Sequence, residues 1–237
     1  MAAPRPGDKL LNLRLLHSWD VAYQEAVSIQ NTLKKELILH DVVQTGPVNI
    51  IAGADISYSR GSDLFFAAVV LLSYPDMQPI EEVHAVARVS FPYIPGLLSF
   101  REGPVLLKAF ENMQQAPDLV MFDGQGIAHP RGVGLAAHLG LFLDVPAIGC
   151  AKSRLCGEHR EPGPLPGDHE DLLYQGRVIG SVLRTKARVR PVFVSPGHLI
   201  SLERSREVTL KCCRGYRLPE PIRQAHLAVN RLRISSQ

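Results

Sequence analysis

Cysteine is scarce, and its spacing favours no cross-link. The four thiols are Cys150, Cys156, Cys212 and Cys213. Adjacent Cys212 and Cys213 cannot close an ordinary unstrained bridge, and no C-x-x-C pair is present to start a zinc site. A disulfide scaffold is not expected, whereas a reducing, cytoplasmic compartment is. No apolar run is long enough to span a bilayer, and the first residues lack the apolar centre of a secretory signal. A soluble protein with no membrane partner is expected, with disorder over about residues 1–12. Nothing in the middle of the chain has linker composition, so the 237 residues are read as one α/β domain over 1–237.

Net charge is also small, +3 overall, but it is unevenly spread. Residues 1–149 hold 10 Lys and Arg against 15 Asp and Glu, whereas residues 150–237 hold 16 against 8. That division suits an acidic centre that needs a cation, beside a basic surface able to hold a polyanion. A solvated basic face with no partner would give the same counts.

Apolar patterning sets the elements. Residues 19–38 have the spacing of an amphipathic helix, with Val21, Val27, Leu33 and Leu37 on its buried stripe and no visible chemistry. Strand-like stretches follow at 49–57, 64–74 and 80–89, and the short loops between them require antiparallel neighbours. Asp55 is a charge inside the first apolar run. If buried, it must be paired, hydrogen-bonded or bound to metal; at a sheet edge it needs none of these. The segment Phe91-Pro92-Tyr93-Ile94-Pro95-Gly96 ends the strand pattern with two prolines, and its stiff backbone should hold Tyr93 and Ile94 outward. An aromatic there can wedge beside an unpaired base, or it can pack on the core. Residues 99–115 form a helix in which Ser99 and Glu102 match a capping box. Glu102 therefore either caps its own helix or points at the sheet as a third carboxylate.

A short buried strand from residue 118 ends in Asp123-Gly124-Gln125-Gly126. A carboxylate at the carboxyl end of such a strand stands where α/β sheets bind ligands, and the glycines let a backbone, base or phosphate come close. His129 lies just beyond it and is an active-site candidate. His138 sits in the apolar helix 133–144 and reads as a core histidine. A strand at 145–150 completes a strand–helix–strand unit, which demands a parallel sheet. Lys152 follows at that strand's carboxyl end, where it can meet a phosphate. Residues 157–171 form a Pro/Gly-rich loop resembling neither helix nor strand. Strands at 179–183 and 192–195 flank Arg184, Lys186, Arg188 and Arg190, a candidate clamp for a polynucleotide backbone. Helices at 201–212 and from about 219 to 233 close the chain. On the second, Arg223, His226 and Asn230 can share a polar face, from which His226 can look back at the active centre.

This order of elements is the skeleton of an α/β fold, a ribonuclease-H-like mixed sheet flanked by helices. In such a sheet the first and fourth strands are neighbours, so Asp55 and Asp123 face each other. Two carboxylates that close repel unless a cation sits between them, and hard oxygen ligands favour Mg²⁺ or Mn²⁺. A metal there can polarise a phosphodiester and activate water.

Six segments carry a specific resemblance: 53–57, 91–104, 122–131, 148–153, 193–198 and 219–226. As an ordered set, spanning from about residue 18 to the end, they resemble endonuclease V, the deoxyinosine-directed nuclease family. The resemblance implies Asp55, Glu102 and Asp123 as catalytic carboxylates and metal ligands, with Lys152 and His226 beside the scissile phosphate. It implies Tyr93 as a wedge in DNA, within the loop Pro92, Tyr93, Ile94, Pro95 and Gly96. The flipped base is expected against backbone around Gly96, Leu97, Leu98, Gly124 and Gly149. His129, Arg131 and His198 fall inside the segments as second-tier candidates. The implied activity is Mg²⁺-dependent hydrolysis, with Mn²⁺ also serving. It cuts the second phosphodiester 3′ to a deaminated base in DNA and leaves the lesion in the nicked strand. Inosine-containing RNA is the alternative substrate. Two features depart from the family pattern: the 157–171 loop, and Cys150 where a small aliphatic residue is usual. An actin-like phosphotransferase is disfavoured by the Tyr93 loop and the basic segment. A silent inosine-binding module is disfavoured by the intact carboxylate set.

Overall fold

The computed structural model describes residues 11–42 and 47–236. Helix α1 (Tyr23–Leu33) runs into a short 3-10 turn (Lys34–Glu36) and precedes the strands β1 (Ile50–Tyr58), β2 (Leu64–Ser73) and β3 (Pro79–Arg88). Then come α2 (Leu98–Phe110), β4 (Leu119–Phe122), α3 (Leu135–Leu143) and β5 (Ala147–Ala151). The chain continues with β6 (His169–Tyr174), β7 (Arg177–Leu183), β8 (Val192–His198), α4 (Leu202–Lys211) and α5 (Glu220–Ser235). The strands form one eight-stranded mixed sheet in the order β3-β2-β1-β4-β5-β8-β7-β6. The architecture is the expected ribonuclease-H-like one. β1, β2 and β3 form the antiparallel meander, and β1, β4 and β5 run parallel at the centre.

Side-chain alternation along these strands builds two cores. Ala52, Ala54, Val120 and Phe122 face α2 and α3, where they meet Leu106, Phe110 and Leu139. Ile51, Leu119, Met121, Ile148 and Cys150 face the other way, where Ile222, Ala225 and Val229 of α5 cover them with Val208 and Cys212. Because strand side chains repeat every second residue, the second set predicts its own continuation. Asp55, Asp123 and Lys152 are each in phase with it and project on the α5 side, at the carboxyl ends of three adjacent parallel strands.

Several expectations are corrected. The first helix is shorter than 19–38: Trp19 lies before it and stacks on Phe142, and the buried positions are Ala26, Gln30 and Leu33. Helix α2 ends at Phe110, and Ser99 does not cap it, because the cap position is Leu97 and makes no side-chain hydrogen bond. The 157–171 loop gives way to β6 at His169, a strand whose polar outer face hid it from pattern reading. Of the stretch of about residues 1–12 expected to be disordered, 1–10 lie outside the described residues, whereas Leu11 packs against the core. Ser201 does cap α4, accepting from the Arg204 amide at 3.0 Å. Among the described residues no helix is long and apolar enough to cross a membrane.

Gly53 shows how tightly α5 is held to this sheet. A Cβ at Gly53 would stand 1.9 Å from the Pro221 carbonyl oxygen. Gly53→Ala should therefore force α5 away from β1 and cost about 1–3 kcal/mol or more. Urea unfolding of the two proteins checks this.

Candidate active site

Register brings the two aspartates together. Ala54 pairs with Phe122 across β1 and β4, so Asp55 and Asp123 follow side by side, and the Asp123 amide donates to the Ala54 carbonyl at 3.3 Å. His226 on α5 places Nδ1 2.7 Å from Asp55 Oδ2. Lys152, leaving β5, forms an ion pair with Asp123. Asp55, Asp123 and His226 can each present a ligand atom within 4.8 Å of the others. Asn230, one turn beyond His226, lies 3.2 Å from its Nε2 and accepts a bond from Ser57 at 3.0 Å, fixing the imidazole plane from behind.

Burial raises the pKa of Asp55, and the neighbouring Asp123 raises it further. His226, the Ile56 amide and Lys152 act in the opposite direction. Glu102 reaches the same centre from the other face of the sheet. Burial, then the charges of Asp55 and Asp123, push its carboxyl up to about 8. It is thus a third carboxylate and not a cap, but it stands outside the three-ligand group.

A second set of residues forms a partly open cavity of about 120 Å³, lined in part by Tyr93, Gly96, Leu98, Ser99, Gln125 and His129. Its rim is the proline loop. Tyr93 is 65% exposed, whereas Ile94 turns inward onto Leu97 and Phe100, contrary to the expectation that both point out. The loop is clamped at both roots. Arg101 donates to the Phe91 carbonyl at 3.1 Å, and three donors converge on the Gly96 carbonyl: Gln30 at 3.0 Å, His129 at 2.9 Å and Arg131 at 2.6 Å. Gly96 has φ +80°, and a Cβ there would lie 2.6 Å from the Arg131 guanidinium.

His129 and Arg131 therefore brace this loop. His129 has both nitrogens engaged, by the Arg131 amide and the Gly96 carbonyl, and burial with the nearby Arg131 pushes its pKa down to about 4. Leu97 is fully buried with Ala26 and Phe100 and does not line the cavity. Gly124 and Gly149 serve close packing: a Cβ on Gly149 would meet the Gly126 amide at 2.2 Å. His198 does not join the site. It pairs with Ala147 at the amino end of β5, the far end of the sheet, and its Nδ1 accepts from the Ile38 amide at 3.3 Å.

Sequence reasoning missed Gln30, Ser99 as a pocket residue, and Gln125. Gln30 had a readable signal, a polar residue between Ala26 and Leu33 on the buried face of α1. Gln125 sits inside the Asp123-to-Gly126 motif but reads there as a turn residue.

On the other side of Lys152 lies an open cleft of about 540 Å³ with Arg154, Arg188, Arg190 and Arg217 on its walls. Of the basic segment, Arg184 is not free to clamp a ligand. It is buried and donates to the carbonyls of Pro162 and Gly163 at 3.0 Å, and to Glu161 at 2.6 Å. It thereby ties the 157–171 loop into the cleft wall and leaves Lys186, Arg188 and Arg190 exposed.

Comparison with known proteins bears on what this arrangement does. The family model described as endonuclease V matches residues 31–227. The endonuclease V of Methanothrix thermoacetophila is 52% identical over 226 residues, covering 95% of this chain and 99% of its own. The crystal structure of Bacillus subtilis endonuclease V superposes with a TM-score of 0.90 at 31% identity, covering 95% of this chain and 98% of that one. Endonuclease V of Ciona intestinalis, crystallised with a 24mer DNA containing an inosine followed by a ribo-adenosine, gives 0.77 at 28% identity, covering 90% and 98%.

Glu102 makes the metal-free protein pH-sensitive. Its folded pKa of about 8 exceeds the ordinary 4.5, so between these values the unfolded chain binds fewer protons than the folded one. Stability must fall as pH rises through that window. Glu102→Gln should flatten the slope and stabilise the metal-free protein near the upper limit by up to roughly 4 kcal/mol. Urea midpoints in EDTA at the two ends of the window check it.

Proposed function

Because the chain belongs to the endonuclease V family, we propose that it is a metal-dependent endonuclease directed at deaminated bases, deoxyinosine above all. It hydrolyses the second phosphodiester 3′ to the lesion and leaves the lesion in the nicked strand. The observation that carries this reading is the Asp55, Asp123 and His226 group, with Lys152 of the basic cleft paired to Asp123 and Gln125 of the small cavity two residues beyond it.

The donor set fits a divalent cation. Two carboxylates match the oxygen ligation of Mg²⁺ or Mn²⁺, and the raised pKa values of Asp55 and Glu102 record burial first and then neighbouring negative charge, which such an ion offsets. Asp55 and Asp123 would hold the ion, which when bound polarises the phosphodiester and acidifies the attacking water. His226 orients the Asp55 carboxylate through their hydrogen bond. Lys152 brings a positive charge to the scissile phosphate, and Glu102 adds a third carboxylate to the centre, one whose pKa a bound cation would lower from its metal-free value of about 8. Tyr93, exposed on a loop clamped at both ends, fills the space left when the base turns out of the stack. The small cavity admits one heterocycle, and the cleft's arginines meet the sugar–phosphate backbone. The ribo-adenosine in the Ciona complex keeps inosine-containing RNA as a second substrate reading.

End-labelled duplexes carrying one deoxyinosine, and single-stranded RNA carrying one inosine, test this with Mg²⁺ or EDTA. Mg²⁺-dependent nicking one nucleotide beyond the lesion is expected, lost in Asp55→Ala and in Asp123→Ala. Tyr93→Ala should mainly weaken recognition. Equal nicking of unmodified DNA would defeat lesion specificity. In the cleft, the double replacement Arg188→Ala and Arg190→Ala should reduce the slope of log affinity against log salt by about 1–2, with little change in base preference. Titrations across salt concentrations in EDTA check that.

A further inference from the structure

A chain of polar side chains leads away from the carboxylate centre along α5, and fixed donors and acceptors decide the direction of each hydrogen bond in it. His226, Asn230 and Arg233 are spaced by one helical turn each, so they lie on one face of α5. Ser57 stands two residues beyond Asp55 on β1 and therefore projects on the same side of the sheet. Ser57, Asn230 and Arg233 are each half-buried.

The far end sets the order. Arg233 has only donors, and its Nε lies 2.9 Å from Ser57 Oγ, which must accept. The hydroxyl keeps one hydrogen to give, and Asn230 Oδ1 takes it at 3.0 Å. The Asn230 amide nitrogen is thereby turned back along α5, where it donates to the His226 carbonyl at 2.8 Å. A carbonyl can only accept, so this second contact requires the same amide orientation as the first. The amide nitrogen also lies 3.2 Å from His226 Nε2. That ring atom accepts and carries no hydrogen. The ring hydrogen is therefore on Nδ1, and the positive end of this N–H meets Asp55 Oδ2 at 2.7 Å.

The order bears on the cation. Nδ1 is the ring atom turned to Asp55, and an imidazole binds metal only through a bare nitrogen. Baring Nδ1 moves the hydrogen to Nε2, where it would point straight at the Asn230 amide hydrogens. Distance alone admits His226 as a third ligand, but the hydrogen-bond directions do not.

We propose that Asn230, braced by Ser57 and Arg233, holds His226 in its Nδ1–H form and so keeps the imidazole out of the cation's ligand shell. Asn230 is a positioning residue, and what it determines is which cation the centre prefers. Carboxylate oxygens alone suit Mg²⁺ or Mn²⁺, whereas an added imidazole nitrogen favours Zn²⁺. The proposal rests on the reading that Asp55 and Asp123 hold a divalent ion, and it adds the residues that turn away an imidazole-seeking one.

Nitrogen-15 spectra of the metal-free protein test the tautomer. His226 should carry its hydrogen on Nδ1 in the unaltered protein and become a mixture of both forms in Asn230→Ala, with a smaller change in Ser57→Ala. A hydrogen on Nε2 in the unaltered protein would overturn the proposal. Titrations with Zn²⁺ and with Mn²⁺, in the absence of nucleic acid, give the second readout. The ratio of Zn²⁺ to Mn²⁺ affinity should rise roughly tenfold in Asn230→Ala. Adding Asp55→Ala should abolish that gain, which assigns it to this centre. An unchanged ratio, or a gain that survives Asp55→Ala, would equally overturn the proposal. Neither readout involves turnover, so absence of deoxyinosine nicking by the unaltered protein would strike the functional reading and not this one.

Discussion

Side-by-side carboxylates set the electrostatic requirement that this fold has to meet. The parallel pairing of β1 with β4 sets Asp55 beside Asp123, and the mutual repulsion has to be answered by something positive. Around that requirement the fold assembles its counter-charges: His226 from α5, Lys152 from the end of β5, and a proton retained on Glu102. Each comes from a different element, so the sheet order, the seating of α5 on Gly53 and the direction of α2 all bear on one electrostatic balance.

The recognition parts obey a different constraint, rigidity. The proline loop projects one aromatic side chain while both of its roots are held by arginine. Three donors on a single carbonyl at Gly96 are more than its lone pairs need, and they come from α1 and the segment after β4. Elements with no chemistry of their own thus fix where the loop stands relative to the carboxylates. The wedge role proposed for Tyr93 gains from a loop ordered before substrate arrives.

Much of this was legible in the sequence, for identifiable reasons. Strand alternation and turn residues revealed β1 to β5 and their parallel centre, and charged residues closing apolar runs exposed Asp55, Asp123 and Lys152. What stayed hidden depended on distant pairing. Ser99 and Glu102 have the spacing of a capping box, yet tertiary contacts gave the serine to His138 and the glutamate to the carboxylate centre. β6 alternates weakly and is defined by its partner β7 more than by its own residues. His198 lies in a matching segment, but β8 runs antiparallel to β5 and carries it to the wrong end of the sheet. Arg184 looked like one cation among four and is instead the tie that shapes a loop.

The ion pair between Lys152 and Asp123 has a thermodynamic consequence. A cation held there, as proposed, would compete with this lysine for the same carboxylate, so in the resting protein the lysine would lower the site's cation affinity. A phosphate that draws the ammonium toward itself lifts that competition. By reciprocity the bound cation then favours the phosphate equally, and the two bind with positive coupling. Under the proposed function the lysine would be a molecular interlock, keeping the centre from being fully charged until a backbone lies across it.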